Sequence, residues 1–233
     1  MAEEYTTLLD TYKRLFSMVD TFHFNSQNTA EVYGHYLNIP TTSKVVAITH
    51  DGILDCRKRR TYDEDLLRLG FIGSETPYKG LPMLKEVISQ LNQEGYADKI
   101  ILQVYGGRIG QDEHLPNVFF KGRFTQKMMK QVFDDMDLLV VPSIWYETFS
   151  LVTLEALSYG TCVLVSNKVG AKDIVAQYAP EFVFKSKQSL HDLLKELLVN
   201  RDRVSQYNKA IVSSSWAWSM KKHAKNIVDE IYK

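Results

Sequence analysis

Leu138-Leu-Val-Val-Pro-Ser-Ile-Trp-Tyr-Glu-Thr-Phe-Ser-Leu-Val-Thr-Leu-Glu-Ala-Leu-Ser-Tyr-Gly160 changes its hydrophobic period midway. Leu138 to Val141 is a continuous apolar run closed by Pro142, the pattern of a parallel strand buried on both faces. Leu151, Leu154 and Leu157, flanked by Val152 and Ala156, then repeat at helical spacing until Gly160 stops them. The stretch predicts a strand, a tight turn and a helix. In open α/β sheets ligands bind at the carboxyl ends of strands, so the turn is the first place to look for function.

The turn carries two carboxylates, Glu147 and Glu155, eight residues apart. Ser150 or Thr148 can cap the helix, and the N–H groups of its first turn, around Phe149, Ser150, Leu151 and Val152, lack intrahelical acceptors. With the helix dipole these donors form an anion site. Glu147, in the loop before the helix, repels a phosphate and is better suited to accept from hydroxyl groups. Glu155, about a turn into the helix, can reach the same cleft. Hydroxyl-binding carboxylates around an anion nest describe a diphosphate with a sugar on each side, which is a nucleotide sugar.

Glu147-x7-Glu155, with Pro142-Ser143 before it and Ala156-Leu-Ser-Tyr-Gly160 after it, resembles the E-x7-E signature of retaining GT-B glycosyltransferases. Leu69-Gly-Phe-Ile-Gly73 followed by Lys79-Gly80 resembles that family's strand, phosphate loop and lysine. Asn117-Val-Phe-Phe-Lys-Gly122 resembles its middle strand, and Val169-Gly-Ala-Lys-Asp-Ile-Val175 its later glycine loop. The order covers about 150 residues, from Leu69 to the C-terminal helices. There are two departures: Gly73-Ser74 stands where the family often has Gly-Arg, and Thr148-Phe149-Ser150 where it often has Gly-Phe-Gly. Arg108 and Arg123 are candidate replacements for the missing cation.

The resemblance implies an α/β fold, the C-terminal half of a GT-B enzyme, with a doubly wound, Rossmann-like parallel sheet. It also implies retaining transfer of a sugar from a nucleotide-diphosphate donor to a hydroxyl acceptor, a saccharide or lipid-linked saccharide, in polysaccharide or glycoconjugate biosynthesis. Lys79 and the amides near Ser150 and Leu151 would stabilise the leaving diphosphate without a metal, Glu155 would take the ribose and Glu147 the transferred sugar. The donor site expected is therefore Gly73, Ser74, Lys79, Glu147, Thr148, Phe149, Ser150, Leu151 and Glu155, with Lys79 and Glu147 catalytic and no cofactor. Two alternatives remain: a GT-B nucleotide-sugar epimerase and a non-catalytic nucleotide-sugar-binding module.

The alternation of strands and helices from Leu69 onward supports the doubly wound sheet independently. Strands are expected at 69–73, 100–105, 118–121, 138–141, 162–165 and 182–184, and helices at 81–93, 126–134, 151–158 and 172–178. Three more helices, over 190–198, 203–213 and 216–231, close the chain, with Trp216 and Trp218 packing them. Residues 1–60 resemble a remnant of an N-terminal acceptor-binding domain plus a linker, with strands at 19–24 and 44–49 around a helix at 27–37. By the same resemblance, residues 61–233 are expected to form the donor-binding domain with its C-terminal helices. The whole therefore reads as a fragment that binds donor and turns over poorly, and its orphaned strands make a homodimer plausible.

At 233 residues and 45% apolar side chains the chain can bury a proper core. Lys+Arg and Asp+Glu are both 28, so no net field recruits nucleic acid. No apolar run approaches the roughly 20 residues a membrane helix needs, and no signal-peptide pattern opens the chain, which points to the cytoplasm. Arg57-Lys-Arg-Arg60 reads as a solvated linker first and as a patch for peripheral membrane contact second. Cys56 and Cys162 give neither a disulfide framework nor a metal spacing. Asp135-Met-Asp137 precedes its strand and so lies at the edge away from the ligand cleft, which argues against a metal-binding D-x-D. His50, beside Asp51, reads as a turn histidine rather than a catalytic base.

Overall fold

The computed structural model describes residues 2–37 and 42–232. The first unit comprises α1 (Ala2–Phe16), β1 (Phe22–Phe24), α2 (Gln27–Tyr36) and β2 (Ser43–Val45). β1 and β2 pair in parallel as a two-stranded sheet. Both strands are shorter than the sequence pattern suggests, because a two-stranded ladder supports only the residues that face one another. α1 was not expected from the sequence. It docks through aromatic contacts, Phe16 meeting Phe22 at 5.2 Å and Tyr33 at 6.2 Å. A largely apolar groove of about 310 Å³ lies open between α1 and α2, lined by Leu8, Tyr12, Val32 and Tyr36 among others.

The second unit is built on seven strands: β3 (Leu67–Ile72), β4 (Ile100–Tyr105), β5 (Ile109–Gln111), β6 (Val118–Gly122), β7 (Leu138–Val141), β8 (Cys162–Ser166) and β9 (Val183–Phe184). Their order is β5-β6-β4-β3-β7-β8-β9, parallel except for the edge strand β5. Every residue of β7 and β8 is buried, as the unbroken apolar runs require when helices cover both faces. The crossovers are α3 (Leu81–Leu91), α4 (Met129–Asp134), α5 (Leu151–Ser158) and α6 (Lys172–Tyr178), followed by α7 (Lys187–Val199), α8 (Asp202–Ser213) and α9 (Met220–Ile231). β4, β7, α5 and α6 coincide with their expected limits. The last helix is shorter than 216–231: Trp216 and Trp218 pack against the core from an extended segment, and Ser219 caps α9 by accepting from the Lys222 N–H.

β3 comes first in this sheet and sits at its centre; the chain adds β4 and β6 on one side, then returns to add β7, β8 and β9 on the other. The carboxyl ends of β3 and β7 therefore meet at the topological switch point, where such sheets open a crevice. Asp137 lies at the opposite edge, where its buried carboxylate accepts from Arg68 Nη2 at 2.7 Å and from the Arg68 backbone N–H at 2.9 Å.

The basic run is divided: Lys58 and Arg59 are exposed, as a solvated linker requires, whereas Arg57 and Arg60 are drawn into the fold. Arg57 turns inward and donates to the carbonyls of Ile211 and Ser214 at the end of α8, with its guanidinium 4.9 Å from the centre of the Trp216 ring. Arg60 donates to the carbonyls of Phe133 and Asp134 at the end of α4, of Met136 just beyond it, and to Thr161 Oγ1. The last carbonyls of a helix have no intrahelical donors and carry its negative end, so two guanidinium groups complete two helix termini. Among the described residues no helix is long and apolar enough to cross a membrane.

Candidate functional site at the sheet switch point

Two loops build the site, one after β3 and one after β7, and backbone contacts hold them together. The β3 loop leaves Gly73, whose N–H donates to Tyr105 O at 3.0 Å, and enters a single 3-10 turn over Pro77–Lys79. Gly80 follows with φ 80, and a Cβ there would run into the Pro142 carbonyl. Only glycine allows this approach, which lets the start of α3 press against the β7 loop. The Ile144 N–H then donates to Tyr78 O at 3.0 Å and ties one loop to the other. Lys79 is thereby carried to the carboxyl end of β7.

There Lys79 Nζ lies 3.0 Å from Glu147 Oε1, and the Ser143 hydroxyl donates to the same carboxylate. The backbone of Glu147 is bracketed by the loop after β8: its N–H donates to Lys168 O and its carbonyl accepts from the Gly170 N–H, both at 3.0 Å. Gly170 is required because a Cβ would strike the Thr148 carbonyl and the Ser26 hydroxyl. Ser26 caps α2 by accepting from the Thr29 N–H, and its own hydroxyl donates to Thr148 O at 2.6 Å. Asn28 adds a bond from Nδ2 to Lys168 O at 3.0 Å. The first unit is thus docked on the loop that presents Glu147.

At the start of α5 the expected side-chain cap is absent. Ser150 occupies the cap position with φ 103 and ψ 86 but makes no capping bond; its Oγ instead accepts from Thr153 Oγ1 at 3.1 Å. Thr148 lies two residues before the cap position, and its carbonyl accepts from the Ser26 and Thr29 hydroxyls. The donors of the first turn of α5 therefore lack a side-chain lid, as an anion nest needs. Ser150 is the one non-glycine residue at positive φ among the described residues, a strained geometry of the sort that clusters at functional sites. Phe149 is buried in the core, so it offers the site its backbone alone.

Glu155 projects from α5 and its Oε1 lies 3.2 Å from Nε2 of His50, a partner that sequence reasoning set aside as a turn residue. Ser74 bonds Thr76 across the β3 loop at 2.8 Å. Glu75 and Arg108 face each other at 3.6 Å, and the Arg108 guanidinium stacks 3.9 Å over the centre of Phe120. Arg108 is thereby engaged by Glu75 and Phe120. Among the described residues no group of three or more His, Cys, Asp or Glu side chains is gathered as a metal would require.

The arrangement combines a lysine, an uncapped helix start and two carboxylates at one edge of the sheet, which suits a ligand with an anionic centre and hydroxylated flanks. Comparison with known proteins gives the same direction. Residues 55–212 match the family described as Glycosyl transferases group 1. The lipopolysaccharide 1,2-N-acetylglucosaminetransferase of Salmonella typhimurium is 24% identical over 181 residues, which cover 70% of this chain and 48% of that protein. The chain thus spans about half the length of that curated relative. Among solved structures, Anabaena HepE in complex with UDP and glucose superposes with a TM-score of 0.73 at 16% identity, covering 97% of this chain and 67% of that one. Sucrose-phosphate synthase from Thermosynechococcus elongatus gives 0.71 at 16% identity, with 96% and 60% covered. At such identities the structural likeness establishes the fold.

Proposed function

This chain belongs to the group 1 glycosyl transferases, and we propose that it carries the donor site of a retaining, metal-independent enzyme that moves a sugar from a nucleotide diphosphate to a hydroxyl acceptor. The observation that carries this reading is the meeting of Lys79 and Glu147 beside the uncapped start of α5, at the switch point between β3 and β7. A nucleotide sugar laid across that edge puts its diphosphate against Lys79 and the first amides of α5. Its ribose then reaches Glu155, and its transferred sugar meets Glu147.

In the reaction the bond from the anomeric carbon to the diphosphate oxygen breaks with its electron pair, the acceptor hydroxyl oxygen bonds to the same face of the sugar, and the hydroxyl proton passes to the departing diphosphate. Negative charge grows on the leaving diphosphate. Lys79 and the α5 amides are positioned to stabilise it, and such preorganised donors act most strongly on charge that develops in the transition state. Glu147 orients the sugar. In the ligand-free protein Lys79 is neutralised by Glu147, so the diphosphate must take over the ammonium as it enters.

Metal independence is supported by the commitment of Asp137 to Arg68 at the opposite edge of the sheet. A complex of Anabaena HepE with UDP and glucose makes a uridine donor the first to try, and the lipopolysaccharide transferase makes a saccharide acceptor in glycoconjugate assembly the matching expectation. Calorimetry with uridine, guanosine and adenosine diphosphates, with and without chelator, tests the proposal. Binding of one of them that survives chelation is expected. Failure of all three to bind would remove the donor-site reading, and loss with chelator would remove the metal-free one.

A further inference from the structure

We propose that His50 is a positioning residue for Glu155, fixing the carboxylate that receives the ribose and linking the segment after β2 to the donor site. The inference rests on the donor-site reading of Glu155. His50 Nδ1 accepts the N–H of Gly52 at 3.0 Å, so in the neutral ring the proton is on Nε2, and Nε2 lies 3.2 Å from Glu155 Oε1. The ring is aimed by its own turn: the Ile53 N–H donates to His50 O at 3.1 Å, and the Ile53 side chain is buried in the core. Gly52 makes room for the ring, since a Cβ there would approach His50 Cε1 to 2.8 Å.

A glutamate on a helix surface explores several rotamers, and ordering it on binding lowers affinity. The Nε2–H donor holds Oε1 and leaves Oε2 for a ribose hydroxyl, so the ordering is complete before the ligand arrives. Because His50 belongs to the segment that joins the first unit to the second, displacement of that segment loosens the ribose contact.

The test is a double-mutant cycle read by calorimetry with uridine diphosphate, with guanosine and adenosine diphosphates as alternates. His50→Ala should weaken binding about tenfold. His50→Gln, whose amide nitrogen falls near the Nε2 position, should recover most of it, while His50→Asn, which reaches only the Nδ1 position, should not. In a Glu155→Ala background His50→Ala should change nothing further. A full loss in that background, or Asn and Gln behaving alike, overturns the proposal. Nitrogen-15 imidazole spectra of the ligand-free protein decide the same point without any donor. A proton on Nε2 and a His50 signal displaced by Glu155→Gln are expected; a proton on Nδ1, or an indifferent signal, refutes the dyad. Failure of every diphosphate to bind, with the dyad intact in the spectra, would fault the donor site and not the positioning.

Discussion

Glu147→Gln should move the affinities of two related ligands in opposite directions. The carboxylate holds Lys79 at 3.0 Å, with the two side chains 15% and 35% exposed, so the pair belongs near the top of the range for surface ion pairs, about 1 kcal/mol. A free nucleoside diphosphate must displace that pair to reach Lys79. Removing the negative charge should therefore tighten it by about fivefold. The intact nucleotide sugar shares this gain but loses a charge-assisted hydrogen bond to its sugar, worth about 1.5–3 kcal/mol. The net is a loss of roughly twofold to thirtyfold. Glutamine keeps an acceptor for the Ser143 hydroxyl, so the loop should hold its shape. Calorimetry with both ligands on wild type and variant gives the comparison. Equal losses would mean that Glu147 only supports the loop, and an unchanged free diphosphate would mean that Lys79 does not face it.

Three further outcomes follow from the packing. Arg60→Ala strips donors from three carbonyls and Thr161 and should lower stability by at least about 3 kcal/mol in urea unfolding, whereas exposed Arg59→Ala should stay within about 0.5 kcal/mol; similar values would restore the solvated-linker reading. Burial opposes ionisation of Asp112, but Lys85 and the N–H groups of His114 and Leu115 outweigh it and hold the carboxyl below its ordinary value. A group depressed in the folded state stabilises above its unfolded pKa and loses that contribution as pH falls through the folded value, so Asp112→Asn should flatten the acid side of the stability profile below about pH 4, and an identical profile would contradict the assignment. Burial pushes the Cys162 thiol up to about 12, while Cys56 is exposed; a thiol reagent at neutral pH should count one reactive cysteine in the native protein and two in denaturant.

What the sequence made legible is what local pattern controls. Leu138–Val141 and Leu151–Ser158 could be bounded to the residue because Pro142 and Gly160 punctuate them and their periods differ. β5 escaped notice because three exposed residues at a sheet edge carry no hydrophobic pattern. Arg57 and Arg60 looked like linker charges because their acceptors, the ends of α8 and α4, lie far along the chain. The contact of His50 with Glu155 was out of sight for the same reason, the two being 105 residues apart. The capping rule failed at Ser150 because it presumes an extended cap residue, and φ 103 turns the hydroxyl toward Thr153. The glycine loop after β8 was noticed by resemblance, but its task of clasping the Glu147 backbone belongs to tertiary structure.

The bonds that gather these loops run from main chain to main chain: Gly73 to Tyr105, Ile144 to Tyr78, Glu147 to Lys168, Gly170 to Glu147, and Ala171 to Phe149. Such bonds are indifferent to the side chains they pass beneath. The crevice can keep its shape while most of the residues around it change, provided glycine stays where a methyl group would collide, as at Gly80 and Gly170. A fold assembled this way separates its architecture from its chemistry. It leaves the rim of the crevice open to substitution, and with it the choice of ligand.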